Sequence, residues 1–116
     1  MSVIETMIKN AVNALEDKKG EDIKIINISE ISPIADCFIL ATGSNRSQVQ
    51  AMADSVEEKM HKAGFHLKQV EGYDGANWIL MDFIDVVIHI FDRESRSFYD
   101  LERIWKDGKV VELGNL

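Results

Sequence analysis

The segment NWILMDFIDVVIHIF, residues 77 to 91, constrains the fold more than any other part of the chain. It is apolar almost throughout, and its two charged residues, Asp82 and Asp85, fall close together near the middle. Successive side chains of a strand point to opposite sides of a sheet, so the pattern predicts two strands that are apolar on both faces and joined by a turn. Such strands need cover on both faces. Either the rest of the chain supplies that cover, or another molecule supplies part of it.

The predicted turn places Phe83 and Ile84 at its tip, between Asp82 and Asp85. A two-residue hairpin loop favours Gly or Asn because positive φ is needed, and β-branched Ile84 resists that conformation. The turn is therefore either irregular or held by a contact. Phe83 either stands exposed as an apolar anchor for a partner or folds back onto the domain's own helix, and the sequence leaves both open.

Hydrophobic periodicity predicts three helices around this hairpin. The first spans residues 3–17 and the second spans 46–63, where Asn45 and Gln48 form a capping-box pattern. The third is shorter and follows Phe91, with its apolar positions at helical spacing: Phe98, Leu101, Ile104 and Trp105. Three glycines end these helices: Gly20, Gly64 and Gly108.

Apolar runs predict three further strands, at residues 23–28, 37–42 and 65–70. The predicted order is α, β, β, α, β, β, β, α in one domain spanning residues 1–116. This order is typical of the α/β class, here with a sheet of about five strands packed by helices on one side. Because the third helix is short, part of the second face is expected to stay open for a partner or a second copy of the chain.

Charge indicates the kind of partner. The net charge is -7 and the pI is near 4.9, so the field repels phosphate and attracts basic surfaces. The basic residues after position 92 are nearly matched by acidic ones, which favours internal ion pairs and at most minor contacts with RNA. From residue 69 to residue 92 the chain has no Lys or Arg but several acids: Glu71, Asp74, Asp82, Asp85 and Asp92.

The location of the protein follows from what the sequence lacks. The single cysteine, Cys37, cannot form a disulfide within the chain and lies in an apolar run, which suits a reducing compartment. The first residues lack the pattern of a signal peptide, and no stretch reaches the roughly 18 apolar residues that a membrane span needs. We therefore expect a cytoplasmic protein.

Groups that could support catalysis are sparse. Gly43-Ser44 lies between a strand and a helix, where backbone N–H groups can hold a phosphate as in a nucleotidyltransferase. That chemistry also needs clustered carboxylates for Mg²⁺, and no Asp-x-Asp pair follows on the next strand. His66 and His89 could meet but lack a third zinc ligand, and His89 is better explained as a core histidine with satisfied hydrogen bonds. We expect no catalysis, metal or cofactor, and keep a nucleotide-binding enzyme at Gly43-Ser44 as the alternative.

Four motifs, in this order, carry a resemblance to a known family. They are A-D-x-F-x-x-A-T-G at residues 35–43, E-G…W-x-x-x-D at 71–82, D-V-V-x-H-x-F at 85–91 and F-Y-D-L-E-x-x-W at 98–105. Together they resemble the ribosomal silencing factor (RsfS, Iojap-like) family, and the likeness runs from the first helix to Trp105. The chain departs from the family pattern at Cys37, where an aromatic residue is common, and at Ile84, where glycine is common. The second departure leaves the geometry of the turn open.

The resemblance implies a mixed β-sheet with helices, distantly similar to nucleotidyltransferases. It also implies a function: members bind the large ribosomal subunit through ribosomal protein L-fourteen, block joining of the small subunit and so repress translation under nutrient limitation. Contacts with ribosomal RNA would be minor, and members are often homodimers in isolation. Carried onto this chain, the partner-facing residues would be those of the hairpin strand and its turn, with two tyrosines as weaker candidates: Trp78, Leu80, Met81, Asp82, Phe83, Asp85, Tyr73 and Tyr99.

Overall fold

The hairpin of residues 77 to 91 forms two neighbouring strands of a larger sheet, in a computed structural model that describes residues 2–111. The helices of this part of the chain are α1 (Val3–Asp17), α2 (Arg46–Lys62), α3 (Arg93–Tyr99) and α4 (Leu101–Ile104). The strands are β1 (Glu21–Asn27), β2 (Cys37–Gly43), β3 (Gln69–Glu71), β4 (Trp78–Asp82), β5 (Val86–Asp92) and β6 (Lys109–Val111).

The sheet has the order β3-β4-β5-β2-β1-β6. Its central strands β2 and β5 run parallel, with Cys37 opposite Val86, and the other neighbours are antiparallel. The α/β class and the mixed sheet are therefore confirmed. The count of about five strands is one short, because β6 is a three-residue strand that pairs with β1. The strand predicted at residues 65–70 begins only at residue 69, since Phe65 and Leu67 pack against the core.

Helices α1 and α2 cover the first face of the sheet. Their apolar stripes pack on side chains from β2, β4 and β5, and Ser55 of α2 donates a hydrogen bond to the carbonyl of Ala14 in α1 at 3.1 Å. Every residue of β2 is buried, as expected for a strand that is apolar on both faces. The predicted stripes of the first two helices are thus confirmed. Within residues 2–111, no helix is both long enough and apolar enough to cross a membrane.

The junction between α1 and α2 depends on Gln48. Asn45 caps α2 as predicted, because its side chain accepts the N–H of Gln48 at 2.8 Å. The Gln48 side chain does not complete a capping box, since its oxygen accepts the N–H and hydroxyl of Ser44. Its amide group donates to the carbonyls of Lys18 and Lys19, both at 3.0 Å. One side chain therefore joins the end of α1 to the start of α2.

The glycine predicted to end α1 acts differently from the prediction. Lys19, not Gly20, has the positive φ of 61°. A Cβ at Gly20 would lie 2.8 Å from the Met52 side chain and 3.0 Å from the Leu15 carbonyl, so Gly20 is required by close packing. Gly64, with φ of 91°, ends α2 as predicted.

The prediction of one C-terminal helix is wrong. Asp100 has φ of 48° and breaks the segment into α3 and α4, a left-handed conformation that Asp tolerates better than most residues. The break buries Leu101 and sets Trp105 against Phe38, with ring centroids 5.1 Å apart, while Phe98 stays 78% exposed. The C-terminal segment therefore packs on the second face of the sheet, so cover lies on both sides and not on one. The apolar side chains of β2 and β5 on that face are the physical reason.

Candidate protein-binding surface

The turn between β4 and β5 decides between the two interpretations of Phe83. Phe83 is 4% exposed and packs in the core beneath the helices, so the interpretation in which it folds back is confirmed. Ile84 takes its place at the tip, with φ of 75°. The Asp82 carboxylate accepts the N–H of Ile84 at 2.7 Å, and the N–H of Asp85 donates to the Phe83 carbonyl at 3.0 Å. These two hydrogen bonds form a tight turn, which holds β-branched Ile84 in a conformation where glycine would be expected.

Three of the predicted partner-facing residues lie on the opposite side of the sheet from Trp78: Met81, Phe83 and Tyr73. Met81 is 1% exposed and, like Phe83, points into the core under α1 and α2, because alternation along β4 carries it to the face of Ile79. Tyr73 packs against the same core, and its hydroxyl donates to the Asp54 carboxylate of α2 at 3.0 Å. Burial contradicts Met81 and Phe83 as surface contacts of a partner, whereas Tyr73 is half-exposed and differs only in lying on the other side of the sheet from Trp78.

The opposite face of β4 presents an apolar patch. Trp78 and Leu80 are half-buried there, and the Trp78 ring lies 4.6 Å from the Tyr99 ring, which lies 5.1 Å from the exposed Phe98 ring. We call these four residues the Trp78 patch. The structure thus brings together Trp78, Leu80 and Tyr99, three of the residues predicted to face a partner. Phe98 was missed, because continuous helical spacing placed it on the buried side.

Carboxylates border the Trp78 patch. Asp82 follows Leu80 by two residues on the same face, Glu71 of β3 lies opposite Leu80, and Asp85 stands exposed at the hairpin end. We call Glu71, Asp82 and Asp85 the acidic rim. An apolar centre with carboxylates on the same face of the sheet is complementary to a basic protein surface.

The arginines that follow β5 do not neutralise the negative charge of the acidic rim. Arg93 forms an ion pair with Glu21 at 2.6 Å, Arg96 pairs with Glu102 at 3.1 Å, and Arg103 pairs with Asp100 at 3.2 Å. The prediction of ion pairs within this segment is confirmed for Arg96 and Arg103, whereas Arg93 pairs with a residue of β1. Because their charge is engaged by the chain's own carboxylates, the segment offers phosphate little attraction.

His89 lies beneath the Trp78 patch on β5. It is 4% exposed, so the prediction of a core histidine is confirmed, but the prediction that its hydrogen bonds are satisfied is wrong. Its Nδ1 accepts the indole N–H of Trp78 at 3.0 Å, whereas its Nε2 has no partner among residues 2–111. Burial lowers the pKa of His89 to about 4, so the ring is neutral and Nε2 carries the proton.

The other chemical candidates are explained by structure. His66 lies beside His61, with ring centroids 5.8 Å apart, and not beside His89. Residues 2–111 contain no group of three His, Cys, Asp or Glu side chains that could hold a metal ion. Burial raises the pKa of the Cys37 thiol to about 12, which keeps it protonated and unreactive.

The Gly43-Ser44 loop, the basis of the enzyme alternative, has its polar groups engaged. The Ser44 N–H and hydroxyl both donate to Gln48, at 2.6 Å and 2.7 Å, so the N–H that would hold a phosphate already has an acceptor. A Cβ at Gly43 would lie 2.8 Å from the Val49 side chain. The glycine is thus required for packing of α2 on β2.

Gly72, in the loop before β4, lies close to the backbone of Trp78. Its φ is 79°, and a Cβ there would lie 2.2 Å from the Trp78 carbonyl oxygen. Gly64 has a similar φ but open space around it, which makes it a matched control. We expect Gly72→Ala to destabilise the fold by roughly 1–3 kcal/mol more than Gly64→Ala, because only the first adds overpacking to backbone strain. Urea unfolding of both variants measures the difference, and equal losses would contradict the tight contact.

Comparison with known proteins gives a consistent result. A family model described as "Ribosomal silencing factor during starvation" matches residues 2–116. A protein of Halalkalibacterium halodurans named ribosomal silencing factor RsfS is 40% identical over 109 residues, covering 94% of this chain and 93% of the relative. A mouse protein named mitochondrial assembly of ribosomal large subunit protein 1 is 31% identical over 101 residues, covering 81% of this chain and 42% of its own length.

A solved structure agrees with the fold. The crystal structure of a Chromobacterium violaceum protein superposes with a TM-score of 0.88 at 37% sequence identity. The match covers 91% of this chain and 88% of that one. The similarity therefore extends over most of both chains.

Proposed function

The chain belongs to the ribosomal silencing factor family, and on this premise we propose that it binds the large ribosomal subunit through ribosomal protein L-fourteen and blocks joining of the small subunit. Translation would thereby be repressed when nutrients are limiting. The family description supports silencing during starvation, and the name of the mouse relative refers to the large subunit. The protein would act in the cytoplasm.

The observation that carries this proposal is the Trp78 patch with its acidic rim. Tryptophan and tyrosine are the residues most often found at the energetic centre of a protein interface. Here Trp78 and Tyr99 are in contact at 4.6 Å and retain exposed surface, and Asp82 lies on the same strand face. A basic ribosomal protein matches this surface in both polarity and charge.

The proposed action is steric and requires no reaction. The patch belongs to a mixed sheet whose centre is buried on both faces, so the docking surface has rigid support. The Cα extents of 33 × 33 × 25 Å give the bound protein enough bulk to occupy a subunit interface. Repression would then depend on affinity and abundance, because a bound molecule blocks one subunit and is not turned over.

Co-sedimentation tests the proposal. Purified protein is mixed separately with isolated large subunits and isolated small subunits, and then with both subunits under conditions that favour joining. We expect the protein to pellet with large subunits only and to reduce the amount of joined ribosomes. Failure to pellet with large subunits at low salt would overturn the proposal. Pelleting that falls steeply with salt for large subunits, in proportion to several released counterions, would indicate RNA as the main ligand instead.

A further inference from the structure

The unsatisfied nitrogen of His89 needs an explanation. His89 lies on the central strand β5, in contact with the Phe38 ring at 4.8 Å and the Trp78 ring at 5.9 Å. An apolar side chain would fill this space without leaving a buried donor unpaired, and unpaired buried donors are disfavoured in native structures. Its Nε2 nevertheless lacks an acceptor within residues 2–111. Packing alone therefore does not account for a histidine at this position.

The other nitrogen, Nδ1, controls the orientation of Trp78. An indole has one hydrogen-bond donor, and in Trp78 that donor is directed inward to His89 Nδ1 at 3.0 Å. The Trp78 ring is also stacked on Phe91, with centroids 5.2 Å apart. The bond selects one rotation of the ring among those that stacking would allow. It also means that the exposed part of the ring offers a partner carbon surface and no donor.

We infer that His89 is a positioning residue for partner binding, which holds Trp78 in its binding orientation by accepting the indole N–H and so presents a ring surface suited to a Lys or Arg side chain of the partner. This inference rests on the proposed function. A ring without a free donor pairs well with the aliphatic stem of such a side chain, and its π-system attracts the cationic head. Glu71, which pairs with Leu80, and Asp82, two residues beyond Leu80 on β4, supply negative charge on the same face.

Two isosteric substitutions separate positioning from packing. Asn and Leu have nearly the same shape, but in His89→Asn the side-chain oxygen takes the place of Nδ1, whereas His89→Leu has no acceptor. We expect His89→Leu to bind isolated large subunits roughly five- to tenfold more weakly than the wild type, the effect of one lost hydrogen bond. His89→Asn should stay within about threefold of the wild type, because the bond to Trp78 is preserved.

A second measurement follows the hydrogen bond itself. In the free protein, the indole N–H of Trp78 should exchange with solvent slowly in the wild type and in His89→Asn, and faster in His89→Leu. The indole N–H of Trp105 serves as the internal reference, because the Trp105 ring contacts Phe38 and takes no part in the hydrogen bond between Trp78 and His89. If His89→Asn does not fold, Trp78→Phe replaces it, because Phe removes the donor and keeps an aromatic ring. Adding His89→Leu to Trp78→Phe should then change affinity by less than about twofold.

The outcomes are distinguishable. Weaker binding and faster exchange in His89→Leu, with rescue by Asn or with non-additivity in the Trp78→Phe background, would support the positioning role. Equal binding by His89→Leu and the wild type would overturn the positioning role and leave the proposed function intact. Absence of binding by the wild type itself would overturn the proposed function together with the inference. If His89 only filled space, Leu would bind at least as well as Asn.

Discussion

Replacing Trp78 with Ala should weaken association with isolated large subunits by at least about 2 kcal/mol, roughly thirtyfold. The reason is that Trp78 lies at the centre of the Trp78 patch, in contact with Tyr99 and flanked by Leu80, where a docked partner would exclude water from it. Sedimentation with large subunits over a range of protein concentrations gives the affinity. The effect should be mainly on the dissociation rate, as for most interface truncations.

Loss of fold must be separated from loss of contact in this variant. Trp78→Ala also removes the donor to His89 and part of the packing on Phe91, so its unfolding free energy is measured first. Val3→Ala is the control for loss of an apolar side chain outside the Trp78 patch, because Val3 lies on α1 and is 64% exposed. That variant should bind as the wild type does. If a folded Trp78→Ala variant bound large subunits with wild-type affinity, Trp78 would not belong to the interface. Phe98 and Ile104 would then be the next residues to test.

Acidification should destabilise the protein through His89 by about 3 kcal/mol between neutral pH and pH 4. Burial holds the pKa of His89 at about 4 in the folded chain, against 6.5 for an ordinary histidine. The unfolded chain therefore binds the proton first as the pH falls below 6.5, and unfolding becomes easier until the folded form is also protonated near pH 4. The free energy of unfolding, measured by urea titration at half-unit pH steps, follows this change.

His89→Leu isolates the contribution of this side chain. Carboxylates also titrate toward the lower end of the range. Hydrogen bonds from Arg93 and Lys62 hold the pKa values of Glu21 and Glu58 below their usual range. Burial acts to raise the pKa of Glu102, but the hydrogen bond and charge of Arg96, with the charge of Lys24, outweigh it and leave that pKa low. These groups are common to both proteins and cancel in the difference. The wild type should lose stability more steeply than His89→Leu from pH 6.5 to 4, by up to about 1.4 kcal/mol per pH unit. Parallel curves would contradict a buried neutral histidine.

The alternation of apolar residues in the strands and their periodicity in the helices predicted most of the architecture, because both patterns reflect which side chains are buried. The faces of β4 followed from a period of two, which placed Trp78, Leu80 and Asp82 on one side. The turn could not be predicted in the same way. Its geometry includes local hydrogen bonds from the N–H of Ile84 to Asp82 and from the N–H of Asp85 to Phe83, and in this turn Ile84, not Phe83, is exposed.

The C-terminal segment was predicted least well. Phe98, Leu101 and Ile104 have helical spacing, yet one left-handed residue, Asp100, changes the direction of the chain between them. The sequence permits that conformation at Asp100 but does not require it, since the choice depends on packing against β2 and β5. The same break exposes Phe98 beside Tyr99, so the missing part of the fold and the missing part of the site have one cause.

The parallel pairing of β2 and β5 has a consequence for how the chain folds. Its partners, from Cys37 with Val86 to Gly43 with Asp92, are all separated by 49 positions in the sequence. The β4–β5 hairpin is local and can form early, whereas the central pair forms only after α2 and the intervening chain have closed a long loop. Until that pairing forms, the hairpin exposes apolar side chains on both of its faces. During synthesis, β2 and α2 are made before β5. They can cover the hairpin at once only if they have formed by the time β5 leaves the ribosome.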